Sequence, residues 1–223
     1  MIPLRDSEAE HRLTPVNTVI IVANIAVFVL EARLDPRAEA HFLRFAMVPA
    51  LITGGSATAL ATLFTSQFLH AGLLHVAGNM LYLFIFGPAV EERMGSRRYL
   101  AFYLLSGIVA GLAMVVMGPQ SRIPVVGASG AIAGVLGAYL VLFPGGRITA
   151  IVPFFFAVRI RAIPAIFYLI GWFALQLSAG LASGVARSPV GEVAWWAHVG
   201  GFLFGMAIGP LLARRKPARR RKR

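Results

Sequence analysis

Six apolar runs, each near the length of a membrane-crossing helix, divide this chain: 16–30, 73–90, 99–117, 127–143, 164–181 and 195–213. A helix rises ~1.5 Å per residue, so about 20 apolar residues cross a hydrocarbon core ~30 Å thick. A soluble domain of 223 residues rarely carries 58% hydrophobic and only 13% charged residues. The chain therefore reads as an all-α, polytopic membrane protein built as a six-transmembrane-helix bundle. Runs one and four are short, and a short helix must either thin the bilayer or leave one end beneath its surface. The membrane domain is expected over 16–213, between a segment at 1–15 and a basic tail at 214–223. The first run ends at Glu31 without a small-residue cleavage site and reads as a retained anchor. With no cysteine, disulfides and thiolate chemistry are excluded.

Lysine and arginine are unevenly divided among the connecting segments. Those before run one, between two and three, between four and five, and after six hold two, three, three and eight, sixteen in all. The alternate segments hold five. Positive charge collects on the cytoplasmic side, so both termini are expected there, with the protein in the cell (inner) membrane. The net charge of +12 is then mostly a topology signal. The tail Arg214 to Arg223 is expected to meet anionic headgroups of the lipid bilayer, and no nucleic-acid partner is expected.

This topology aligns polar residues that are far apart in sequence. Runs two, four and six begin on the outer side, and their first turns carry His75 and Asn79, Ser129, and His198. Ser129 shares a helix face with Ala133 and Gly137, and His198 shares one with Gly201, Gly205 and Gly209. Small-residue stripes let membrane helices approach closely, which would bring hydroxyl and imidazole to the top of one interface. Taken singly the signals are weak, because a serine at a helix start is commonly a cap and glycine helps any two helices pack.

Together these residues supply what acyl transfer needs: a hydroxyl nucleophile in Ser129, a base in His198, and donors for an oxyanion. The donors are the partnerless backbone N–H groups near Ala128 and Ser129, with His75 and Asn79 completing the set from one face of run two. Asp6 and Asp35 lie outside the runs, and among glutamates only Glu192 lies near the outer end of run six. The reading is a Ser-His dyad whose imidazole is held by packing, without a carboxylate. No His-Glu-x-x-His pattern occurs, which counts against a zinc protease, and neither metal nor other cofactor is expected. His70 reads as structural, Asn24 as an interhelical polar contact, and Glu91, Glu92 and Arg93 as a solvated cluster.

Three stretches in this order resemble the rhomboid family: His70-Ala71-Gly72-Leu73-Leu74-His75-Val76-Ala77-Gly78-Asn79, Gly127-Ala128-Ser129-Gly130-Ala131-Ile132-Ala133-Gly134, and Ala197-His198-Val199-Gly200-Gly201. The resemblance runs from about Pro15 to Ala213 and is closest to the compact six-helix bacterial form. It implies a serine endopeptidase with Ser129 as nucleophile, His198 as general base, and His75, Asn79 and the backbone near Ala128 stabilising the oxyanion. Its substrates would be transmembrane proteins cut within or beside a membrane helix near the outer face. A non-catalytic member that binds membrane clients is the alternative. The family's first loop corresponds to about 32–67, where His41 to Pro49 is amphipathic enough to lie in the interface. That loop lacks the Trp-Arg pair of many members; Arg44 beside Phe45 is a partial stand-in. Ala133 stands where some members stack an aromatic ring on the histidine, so packing along Gly201 and Gly205 is expected to hold the imidazole instead.

Overall fold

The computed structural model describes residues 1–11, 13–33, 43–154, 157–183 and 194–214. Its helices are α1 (Pro15–Glu31), α2 (Pro49–Thr53), α3 (Ala57–Thr65), α4 (Leu73–Met94), α5 (Ser96–Met117), α6 (Ser129–Leu142), α7 (Ala165–Ser183) and α8 (Trp195–Leu212). Four of them, α4, α5, α7 and α8, are long and apolar enough to cross a membrane, whereas α1 and α6 are shorter apolar helices. Each of the six apolar runs thus becomes a helix, and α2 and α3 lie between runs one and two. Pro15 and Pro49 stand in the first turns of α1 and α2, where an N–H would have no intrahelical partner. Gly95, at φ +84°, turns the chain sharply from α4 into α5.

The axis of the bundle is α6. Every residue from Gly130 to Tyr139 is buried, which accounts for a run that is apolar all round. Its most extensive contact is with α8, followed by α5 and α4. Backbone meets backbone there: a Cβ added at Gly201 would collide with the Gly130 carbonyl, one at Gly205 with that of Gly134, and one at Gly137 with that of Phe202. The small residues of the two helices therefore form the interface itself. Large apolar side chains such as Val19, Val116, Leu175 and Leu211 are exposed on the outside of the bundle, the arrangement that lipid tolerates and water does not.

The expectation of an all-α chain needs correction. Strands β1 (Ile2–Asp6), β2 (Arg147–Phe154) and β3 (Ala157–Pro164) form an antiparallel sheet in the order β1-β2-β3, with Ile2 opposite Ile151 and Ile151 opposite Ile160. Ile148 and Ala150 are buried while Thr149 between them is partly exposed, the alternation of a strand with one covered face. Asp6 fastens the sheet to the bundle. Its carboxylate accepts the N–H groups of Glu8 and Ala9 and the hydroxyl of Tyr139 in α6.

The cluster at 91–93 is not uniformly solvated either. Glu91 is 2% exposed and accepts hydrogen bonds from the backbone N–H of Val16 and Asn17 and from Ser96 Oγ. A carboxylate from α4 thus caps the first turn of α1, where free N–H groups and the helix dipole favour negative charge. Asn24 is buried; its amide donates to the Ile20 carbonyl of its own helix at 2.8 Å, and its side chain also meets the Tyr103 hydroxyl of α5, the interhelical polar contact expected of it. Of the segment expected at the membrane interface, His41 and Phe42 lie outside the described residues. Leu43–Phe45 forms a single 3-10 turn, with Leu43 and Phe45 exposed.

Candidate active site

Ser129 is the first residue of α6, directly after the N-cap residue Ala128. The stretch before it is held at two points. Met47 and Val125 exchange backbone hydrogen bonds of 3.1 and 2.7 Å, and the Gly127 N–H donates to the Ser66 carbonyl at 2.9 Å. Gly127 itself has φ +123°, a conformation that side chains disfavour. A Cβ there would stand 2.8 Å from His75 Nε2 and 3.6 Å from Asn79 Nδ2. The backbone entering α6 therefore passes directly beside both side chains of α4.

The hydroxyl of Ser129 instead meets α8, its Oγ lying 2.7 Å from His198 Nε2. His198 is 7% exposed, and Ser129 is half-buried at the wall of a cavity of about 680 Å³. His75, Asn79, Tyr82 and Trp172 line the same cavity. Asn79 is 8% exposed, and its Nδ2 has no hydrogen-bond partner among the described residues. An amide donor left free beside a nucleophile is rare, because a buried unpaired N–H costs about 1–3 kcal/mol. At the start of α6 the first N–H groups, including those near Ala128 and Ser129, likewise lack intrahelical partners. All five residues read from the sequence, Ser129, His198, His75, Asn79 and Ala128, thus come together in one place. His70 does not line the cavity; it is buried before α4, its ring edge-on to His75 with centroids 5.1 Å apart. Glu192 lies outside the described residues.

Sequence reasoning passed over two neighbours of the imidazole on α7. Gln176 Oε1 lies 2.7 Å from His198 Nδ1, and the Trp172 ring lies 5.8 Å from the imidazole at 38°. Trp195 of α8 adds an edge-on contact at 6.2 Å. The ring is therefore supported by an amide and two indoles as well as by helix packing, which corrects the expectation drawn from Ala133. The signal was present in the sequence as a lone amide within the apolar run 164–181, one turn beyond a tryptophan. Among the described residues, no cluster of His, Asp and Glu could hold a metal ion.

A model of the rhomboid domain matches residues 57–215. The chain belongs to the rhomboid family. The matched part contains α3 to α8 and every residue of the cavity wall named above; β1, α1 and α2 precede it. Rhomboid protease GluP of Bacillus subtilis (strain 168) is 47% identical over 78 residues, 35% of this chain and 15% of that protein. The human presenilin-associated rhomboid-like protein, mitochondrial, is 29% identical over 198 residues, 85% of this chain and 46% of that protein. RHOMBOID-like protein 5 of Arabidopsis thaliana is 34% identical over 145 residues, 65% of this chain and 41% of that protein. The chain spans less than half the length of each of these relatives. Family membership and the long apolar helices make this rhomboid a multi-pass membrane protein.

Proposed function

We propose that this rhomboid is an intramembrane serine endopeptidase working through a Ser129–His198 dyad. The observation that carries the reading is the 2.7 Å contact between Ser129 Oγ and His198 Nε2 at the wall of a cavity into which Asn79 points an unpartnered amide. Ser129 Oγ attacks the scissile carbonyl carbon and transfers its proton to His198 Nε2. The tetrahedral oxyanion is held by Asn79 Nδ2, His75 and the N–H groups at the start of α6, whose dipole favours negative charge. His198 returns the proton to the leaving amine, and water then hydrolyses the acyl-enzyme by the same path in reverse. A non-catalytic client-binding member would have no need of a hydroxyl and imidazole in hydrogen-bonding contact.

In this reading six helices cross the bilayer, both termini face the cytoplasm, and the substrates are transmembrane proteins. The 14 residues of α6 span about 21 Å, so the helix starts well below the outer surface of a ~30 Å core. Ser129 then lies beneath the headgroups, where a substrate helix would have to unwind to expose its carbonyl. The test uses purified protein in liposomes, a transmembrane-helix substrate and a serine-directed phosphonate. Wild type should cleave the helix and carry the phosphonate on Ser129, and Ser129→Ala and His198→Ala should do neither while remaining folded. Undiminished cleavage by either variant would sink the dyad.

A further inference from the structure

Gln176 closes the site from a helix that supplies neither nucleophile nor oxyanion donor. It is 8% exposed, and its Oε1 meets the imidazole nitrogen opposite to the one that faces Ser129. A carbonyl oxygen only accepts hydrogen bonds, so the 2.7 Å contact requires a proton on His198 Nδ1. A neutral imidazole with its proton on Nδ1 carries its lone pair on Nε2, facing the Ser129 hydroxyl. We infer that Gln176 is the positioning residue of this site, fixing the tautomer and ring plane of His198 as a buried carboxylate does in a Ser-His-Asp triad. The inference rests on the reading of Ser129 and His198 as a catalytic pair.

Three features support the role. Trp172 and Gln176 are one turn apart on α7, so the same helix face that donates the amide also lays an indole against the ring. Trp195 stands perpendicular to the imidazole at 88°, which restricts its remaining freedom. Ala133, fully buried, brings no ring of its own to this work. The chemistry differs from that of a triad in one respect. When His198 Nε2 takes the serine proton, the resulting imidazolium donates from Nδ1 to a neutral dipole, and the positive charge stays on the ring. Gln176 orients the base without adding the charge stabilisation of a carboxylate. The other titratable side chain that acts on the ring is His75 from α4.

The experiment compares wild type, Gln176→Leu and Gln176→Glu in liposomes, reading kcat, KM, the rate of phosphonate labelling at Ser129 and the pH profile of kcat/KM. Gln176→Leu should lower kcat and labelling about 10- to 100-fold, with KM changed much less. Gln176→Glu keeps an acceptor and should recover most of the activity. Its negative charge holds the imidazolium more tightly, so the acid limb of the profile should move to higher pH, activity being lost sooner as pH falls. A Gln176→Leu variant with wild-type kcat and labelling overturns the inference while leaving the dyad standing. A wild type that neither cleaves nor labels overturns both. Should Gln176→Leu fail to fold, nitrogen NMR of wild type labelled at histidine decides: a protonated Nδ1 on neutral His198 supports the role. The Nε2–H tautomer, which free imidazole favours in water, refutes it.

Discussion

The backbone of Gly201 lies against the carbonyl of Gly130, one residue beyond Ser129 and three beyond His198. One of the close backbone approaches of α6 and α8 is therefore also the point from which hydroxyl and imidazole extend toward each other. A branched side chain at Gly201 must push the two helices apart at that level. Gly201→Val should lower turnover by ~10²-fold, since displacing a reacting group by ~1 Å carries a penalty of that size. Phosphonate labelling of Ser129 should fall in parallel, and full activity would mean that this contact does not set the geometry. Ala133→Tyr should also be harmful, because Ala133 is fully buried and a Cβ at Gly201 would lie 3.4 Å from its own Cβ.

Asn79 offers the cleanest test of the oxyanion donors, because its Nδ2 has no other hydrogen bond among the described residues to lose. Asn79→Ala should reduce kcat ~10²-fold with little change in KM, the pattern of an interaction made only in the transition state. A rate within a factor of two of wild type would make the amide structural.

Glu91 should matter for stability and not for chemistry. Glu91→Ala leaves the N–H groups of Val16 and Asn17 without their acceptor at the buried start of α1. The expected loss is about 1–3 kcal/mol, read as a lower unfolding midpoint in detergent. The folded fraction should label at Ser129 at the wild-type rate.

Orientation in the membrane follows from the sixteen-to-five division of basic residues. A reporter fused after Arg223 should be cytoplasmic, and a cysteine placed at Gln120 should react with an impermeant reagent added outside. The reverse pattern would put the Ser129 layer on the cytoplasmic side.

The site was readable where a polar residue interrupts an apolar run, because lipid leaves such a residue few bland explanations. Ser129, His198, His75 and Asn79 all stand out in this way. Gln176 stands out equally, but the usual partner of such an imidazole is a carboxylate, and a neutral amide carries no charge to mark it. Glu91 escaped for the opposite reason. A charge at the end of an apolar run reads as solvated, and its partners here are backbone N–H groups, which leave no mark in a sequence. The hairpin of β2 and β3 falls in a connection between membrane runs, where alternation over eight residues is easily taken for a loop. Its pairing with β1 joins positions too far apart for any local pattern to announce.

That last pairing bears on how the chain assembles. Ile2 cannot find Ile151 until α1, α4, α5 and α6 have all been made. Contacts of such long range form late, after the loops between them have been closed by other means. A strand made ahead of α1 is thus among the last to be seated. When it docks, Asp6 reaches Tyr139 near the C-terminal end of the helix that begins with Ser129. The sheet then acts as a latch, drawn shut only over a finished bundle.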